Sequence, residues 1–237
     1  MKLAVSSASF DAALSAGSLT QLEWLDLCAR DLALDGVVFD ARHFPRTDDD
    51  YLAQLKKLAV DLGLTVAGLR CDDLLGRDEA GAAAALEIAW NLGAPLVLTR
   101  AAEAASDDAG AWSRVVDGAR NAAGAAKRRN VVVAVRNAAG TQCASAADLK
   151  RLAKDVDGSW LRYALDAAAL QTPETPDPLL PKTVIALHDA TGADDAAAAV
   201  AALGDFRAFL VLDVAPAAGQ PALAAAVAAA RRAIALA

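Results

Sequence analysis

Nothing in this chain is arranged to cross-link it. Its three cysteines, Cys28, Cys71 and Cys143, are odd in number, far apart and without CxxC spacing. That pattern speaks against a disulfide framework and a zinc site, and leaves buried thiols as the reading. Positive charge is also short. The 23 Lys and Arg against 30 Asp and Glu give a formal charge of −7, and no basic cluster is longer than Lys127-Arg128-Arg129. Such a field repels a polyanion, so nucleic acid is not an expected partner. Long uncharged apolar runs are missing as well. Only the alanine-rich stretch 220–236 approaches the ~18 residues of a membrane span, and with Arg231-Arg232 it reads as an amphipathic closing helix. The first strand-like segment begins at Lys2 and leaves no room for a leader, so the expected location is cytoplasmic, with no membrane partner. The first turn, Ser6-Ser7-Ala8-Ser9-Phe10, lacks the GxGxxG of an open dinucleotide-binding sheet.

What is present is core material. Hydrophobic residues make up 56% of the chain and charged residues 22%, a soluble composition with ample apolar surface to bury. Eight short apolar runs with polar or Gly punctuation match parallel strands buried on both faces. They are Leu3–Ser7, Gly36–Asp40, Leu64–Arg70, Pro95–Arg100, Val131–Arg136, Leu161–Asp166, Thr183–His188 and Ala208–Asp213. Helical periodicity fills the intervals at Ser18–Leu34, Asp48–Leu62, Glu79–Leu92, Ala109–Lys127, Ser145–Val156, Ala193–Leu203 and Gln220–Leu236. Ser18 and Ser145 are candidate N-caps, and Gly63 and Gly93 sit where a helix should stop. The segment Gln171–Pro181, with four prolines, can hold at most a short helix or an irregular loop. Eight βα units of about 30 residues close as a barrel, so the predicted fold is a single-domain (β/α)8 TIM barrel spanning residues 1–237.

In such a barrel the chemistry sits at the C-terminal ends of the strands, because apolar layers fill the interior below. Strand two ends in Asp40, Arg42 and His43, strand three in Arg70, strand four in Arg100 and strand five in Arg136-Asn137. Strand six ends in Asp166, strand seven in His188-Asp189 and strand eight in Asp213. Period-two alternation puts Val132, Ala134 and Arg136 on one face, and Val184, Ala186 and His188 on one face. Asp166 likewise lies above Ala164, and Asp213 above Val211. One half of the rim is then cationic, and the other half acidic with one imidazole.

The chain resembles the xylose isomerase-like barrels, the superfamily of sugar phosphate isomerases and epimerases and of AP-endonuclease-type enzymes. The resemblance spans nearly the whole sequence. It is carried by Ser6-Ser7-Ser9-Phe10, by Asp35-Gly36-Val37-Val38-Phe39-Asp40 followed by Arg42-His43-Phe44-Pro45, and by Leu62-Gly63-Leu64 and Leu92-Gly93-Ala94. Val135-Arg136-Asn137 with Gly140-Thr141, Leu165-Asp166 and Leu187-His188-Asp189 complete it. It implies a divalent metal held by a Glu at the end of strand five, an Asp on six, a His on seven and a Glu on eight, two of the carboxylates serving as acid and base. Position by position, Asp166 and His188 fit and Asp213 stands at the last Glu. Arg136 replaces the first Glu, and Val38 stands where many members carry a Glu. A guanidinium cannot ligate a metal and stays protonated. At ~4 Å it would repel a divalent cation by several kcal/mol even at an effective dielectric near 20. The expectation is therefore no metal, with a cation on Asp166, His188 and Asp213 the minority alternative.

Two readings follow. In the first, an isomerase or epimerase-like protein binds a small anionic sugar, a phosphate or an acid, through Arg42, Arg70, Arg100, Arg136 and Asn137. His188 with Asp166 or Asp213 is then the acid/base set. In the second, catalysis is lost and Arg136 pairs internally with Asp166 or Asp213 in a binding or structural barrel. His43, beside Phe44-Pro45, is read as a loop or packing residue. Trp24, Trp90, Trp112 and Trp160 are expected to pack helices on the barrel. Asp48–Asp50, Asp107-Asp108 and Asp194-Asp195 suit helix N-termini. The alanine-rich outer helices leave room for close packing of a second copy.

Overall fold

The computed structural model describes residues 1–103, 110–167 and 182–236. Asp107-Asp108 and the proline-rich Gln171–Pro181 lie outside the described residues. Among those described, eight strands are β1 (Lys2–Ser6), β2 (Gly36–Asp40), β3 (Thr65–Arg70), β4 (Leu96–Arg100), β5 (Val132–Arg136), β6 (Leu161–Asp166), β7 (Thr183–Asp189) and β8 (Phe209–Asp213). They run in sequence order around a closed parallel barrel. Eight α-helices among the same residues are α1 (Asp11–Ser15), α2 (Gln21–Arg30), α3 (Asp49–Asp61), α4 (Glu79–Leu92), α5 (Ala111–Arg129), α6 (Ala146–Val156), α7 (Ala193–Leu203) and α8 (Gly219–Leu236). This is a (β/α)8 TIM barrel. No helix among the described residues is long and apolar enough to cross a membrane.

Contacts divide the chain into two compact units, Met1–Ala67 with Ile185–Ala237, and Gly68–Val184. In the first unit, β1 pairs with β2 through Val5 opposite Val37 and with β8 through Ala4 opposite Val211. β7 joins β8 with His188 opposite Leu212 and Asp189 opposite Asp213. In the second unit, β4 and β5 run in register from Leu96 opposite Val132 to Arg100 opposite Arg136, and β6 continues from Val133 opposite Leu161. These ladders bring strand ends level, so side chains carried there stand side by side. The strands are buried on both faces, as their unbroken Val/Leu/Ala runs require.

Helix ends follow local chemistry. Ser18 was the expected cap of α2, but Thr20 caps it. Thr20 and Glu23 exchange side-chain and backbone bonds in a capping box, while the Ser18 hydroxyl donates to the Ala13 carbonyl. A second box, Ser145 with Asp148, opens α6. Asp48 caps α3, and Gly93, at φ 78°, ends α4 in the left-handed region where a side chain would be strained. The short α1 had no counterpart in the periodicity, because its five residues are too few to show one.

The tryptophans part company. Trp24 is fully buried and meets Phe39 edge-on at 5.1 Å. Trp112 on α5 donates its indole N–H to Asp155 on α6 and stacks under Arg151. Trp90 departs from the expected packing role: it is 53% exposed, because α4 turns that position away from its Ala-lined buried face. The three cysteines are buried and free. Burial raises all three thiols, Cys71 and Cys143 to about 12, and drives Cys28 higher still. All three are inert thiols near neutral pH.

Candidate functional site

In the first unit the ends of β1, β2 and β8 form one hydrogen-bonded network. Asp213 closes β8 and is 6% exposed. Its Oδ1 accepts from the Ser6 backbone N–H at 3.1 Å and from the Ser9 hydroxyl at 3.0 Å. Ser9 Oγ in turn accepts from the Val214 N–H. Next to it runs a chain of four groups. The Asp40 N–H donates to Ser7 Oγ at 2.8 Å, the Ser7 hydroxyl meets His43 Nδ1 at 2.9 Å, and His43 Nε2 meets Asp11 Oδ1 at 2.8 Å. The carboxylate selects the tautomer protonated on Nε2, which leaves Nδ1 to accept from the serine. The sequence Ser-His-Asp invites a hydrolytic reading, but Ser7 is 0% exposed and its oxygen is already bonded to a backbone N–H. His43 ties the β2 loop to β1 and α1.

Arg42 folds back on the strand that carries it. Its Nε and NH2 meet both oxygens of Asp40, at 2.7 Å for the closest pair, and NH2 lies 3.5 Å from Asp11. Burial pushes the Asp40 carboxyl up, and the hydrogen bonds and charge of Arg42 outweigh it, so the pKa ends below the ordinary carboxylate value. The sign is fixed by linkage. A depressed pKa contributes stability that is complete above the unfolded value and is lost as pH falls through the folded one. We expect urea midpoints of the wild type and Arg42→Met to differ by a constant amount near neutral pH. The gap should close on acidification below about pH 4. A gap that stays constant into stronger acid would show that Arg42 acts by packing alone.

His188 on β7 is 4% exposed. Its Nε2 lies 3.1 Å from Asp195 Oδ2 on α7. The approach is out of line for a hydrogen bond, and neither ring nitrogen has a hydrogen-bond partner among the described residues. The Asp195 carboxyl is lowered first by the Thr191 backbone N–H, then by the Thr191 hydroxyl and by His188. Asp195 had been assigned to the helix dipole alone. Its placement beside His188 is a tertiary fact that no local pattern signals.

The second unit gathers the other arginines. Arg70 makes a two-pronged contact with Asp72, Nε to Oδ1 at 3.1 Å and NH2 to Oδ2 at 2.9 Å. Arg100, its side chain 43% exposed, reaches the same carboxylate at 3.6 Å. Arg136 NH2 lies 3.3 Å from Asp166 Oδ2, the two side chains being 15% and 23% exposed. Asn137, 5% exposed, accepts the Asp166 backbone N–H on Oδ1 at 2.9 Å. Asn137 therefore fixes the end of β6 against the end of β5. Asp72 was not singled out from sequence, although it follows Arg70 at the same two-residue spacing that separates Asp40 from Arg42.

Among the described residues no group of three or more His, Cys, Asp or Glu is placed to hold a metal ion. At the end of β5 stands a guanidinium, Arg136, beside Asp166. Asp213 Oδ1 accepts from both Ser6 and Ser9.

Strand order and closure define a (β/α)8 barrel protein. Residues 28–209 match the xylose isomerase-like TIM barrel family, and the chain belongs to it. No curated protein matches it in sequence. Among solved structures it is similar to a D-psicose 3-epimerase crystallised with D-fructose, at 17% identity and TM-score 0.75, covering 100% of this chain and 98% of that one. It is also similar to the 3-keto-D-glucoside 4-epimerase of E. coli, at 16% identity and TM-score 0.73, with the same coverage. A probable 3-DHS dehydratase of Bacillus anthracis matches at 14% identity and TM-score 0.74 over 98% of both chains. At these identities the likeness is one of fold.

Proposed function

We propose that this chain binds a small anionic sugar, a sugar phosphate or a sugar acid, through Arg70, Arg100 and Arg136, and does so without a divalent cation. The observation that carries the reading is the sharing of one carboxylate, Asp72, by two guanidinium groups, with Arg100 at 43% exposure held only at 3.6 Å. Arg100 stands in register with Arg136, so two planar forks lie on neighbouring strand ends. Such forks match phosphate or carboxylate two-pronged. Arg42 lies between Asp40 and Asp11, a surrounding that opposes an anion, and is left out of the binding set. The sugar epimerases of similar fold support a sugar as the ligand.

Within the first unit, taken by itself, His188 is the acid/base candidate. It is buried, and its ring nitrogens are not committed to linear hydrogen bonds among the described residues. Asp195 Oδ2 lies 3.1 Å from its Nε2. A second reading, a barrel that binds without turnover, is favoured by the engagement of Asp166 with Arg136 and of Asp213 with Ser6 and Ser9. These contacts leave neither carboxylate poised as a second base.

Thermal melts discriminate. Glucose 6-phosphate and gluconate are expected to raise the melting temperature where glucose does not. The shift should shrink with added salt and persist in EDTA. A ligand that binds only the native state at ~100 times its Kd stabilises by ~2.7 kcal/mol, so a real site is easily seen. No shift with either anion sinks the reading, and a shift that requires Mn²⁺ sinks its metal-free part. Solvent deuterium entering a bound sugar at carbon favours turnover; binding without exchange favours the second reading.

A further inference from the structure

In the first unit Asp195 is gripped from one side and faces a ring on the other. Its Oδ2 accepts twice from Thr191, from the backbone N–H at 2.9 Å and from the hydroxyl at 3.0 Å. That same oxygen lies 3.1 Å from His188 Nε2. One carboxylate oxygen is thus pinned by two donors of the turn before α7 and set against the imidazole. Asp195 is the third residue of α7, whose N-cap Gly192 supplies no side-chain bond, and the helix dipole favours a carboxylate in the first turn. The Thr191 backbone N–H, with smaller help from its hydroxyl and from His188, holds the Asp195 carboxyl below its ordinary value against the effect of burial. The group is therefore ionised at neutral pH.

An ionised carboxylate oxygen carries lone pairs only, whereas a neutral imidazole offers one N–H and one lone pair. At 3.1 Å two facing lone pairs repel, the more so around a ring that is 4% exposed, where water screens little. Nε2 must therefore turn its N–H toward Oδ2, even though the approach is out of line for a full hydrogen bond. The lone pair then falls on Nδ1, which has no hydrogen-bond partner among the described residues. His43 makes the contrast. Its Nε2 also faces an aspartate, Asp11 at 2.8 Å, but its Nδ1 accepts from Ser7, so that lone pair is committed. We propose that Thr191 and Asp195 are positioning residues for His188, fixing the tautomer that carries its proton on Nε2 and leaving the lone pair on Nδ1. The functional use of this device rests on the reading of His188 as an acid/base group, with Nδ1 then the atom that exchanges the proton; the tautomer itself does not.

Long-range ¹H–¹⁵N spectra of the whole chain read the tautomer directly, and with 2 histidines in the sequence a comparison with His188→Asn assigns both rings. At about pH 9, some two units above the ~6.5 of a free imidazole, wild-type His188 is expected to show a pyrrole-type Nε2 and a pyridine-type Nδ1. A pyrrole-type Nδ1, or averaged shifts at both nitrogens, overturns the proposal. Asp195→Leu should bring in the other tautomer and average the two shifts. Thr191→Val should do so in part, and Thr191→Ser, which keeps the hydroxyl, should restore the wild-type pattern. An Asp195 that merely caps α7 leaves the ring pattern unchanged in Asp195→Leu, and that result also overturns the proposal. If Asp195→Leu fails to fold, the wild type and the two Thr191 variants decide. Failure of the acid/base reading shows elsewhere: a sugar that binds without taking up solvent deuterium, while the wild-type ring pattern stands, removes the chemistry of His188 and leaves its positioning in place. Where exchange does occur, Asp195→Leu should slow it at least ~10-fold, because the wrong tautomer presents a donor where a base is needed.

Discussion

Gly118→Ala is expected to destabilise the protein by about 3 kcal/mol, although alanine is the better helix former. Gly118 lies within α5, where intrinsic propensity alone returns ~1 kcal/mol for the exchange. Packing opposes it. A methyl at Gly118 would stand 1.9 Å from the Leu75 carbonyl oxygen and 2.9 Å from its carbon. Ordinary van der Waals contact starts at 3.4 Å, so the backbone must withdraw by about 1.5 Å. Overpacking usually costs ~1–3 kcal/mol. Here the obstacle is main chain, which has no rotamer to swing away, so the cost is put at ~4 before propensity is credited. For a chain of this size the net loss lowers Tm by ~6–12 °C. Leu75 belongs to the turn that follows Arg70 and Asp72, so the same displacement should also weaken glucose 6-phosphate binding. Scanning calorimetry of Gly118→Ala and Gly118→Ser tests the point. A Tm within two degrees of wild type, on the order of the ~1 kcal/mol propensity term, would show that α5 is free to shift.

The strands and their ends were legible because each βα unit repeats a simple rule. Runs such as Val132–Arg136 are apolar until the residue that leaves the packed layers, and that residue is charged. Pairing across the fold was not legible. Asp40 and Arg42 are neighbours in sequence, and so are Arg70 and Asp72, so those contacts leave a local trace. Asp195 reaches His188, and Ser9 reaches Asp213 over 204 positions, through register and helix placement that no window contains. Asp213 shows the difference most clearly. Its position at the end of β8 was read as that of a family carboxylate. Its Oδ1 holds the Ser6 and Ser9 loop, a contact no local pattern signals. Trp90 makes the same point for packing, since helical period identifies a face but alanine-rich α4 has little contrast between its faces.

Arg136→Met should cost about 2 kcal/mol, and the loss should largely vanish when Asp166 is neutralised as well. Breaking a fully buried ion pair from one side costs ~3–5 kcal/mol, because the remaining charge keeps its desolvation penalty. Here the side chains retain 15% and 23% exposure and meet at 3.3 Å, which argues for a lower figure. In Arg136→Met/Asp166→Asn no carboxylate remains at that position, and the Asp166 backbone bond to Asn137 is untouched by the side-chain change. Urea midpoints of the four proteins therefore form a cycle with strong coupling, whereas costs that add would mean the two groups act separately. The same variant separates the functional readings. Arg100→Leu, at an exposed and loosely held position, should leave stability unchanged while weakening glucose 6-phosphate by ~10–100-fold, the value of one or two charge-assisted bonds. Arg136→Met should lose both stability and affinity. If it loses stability alone, the guanidinium replaces a metal's charge for the sake of the fold, and the binding-without-turnover reading gains. If Mn²⁺ restores the stability of Arg136→Met, the guanidinium has been occupying a position that still suits a cation.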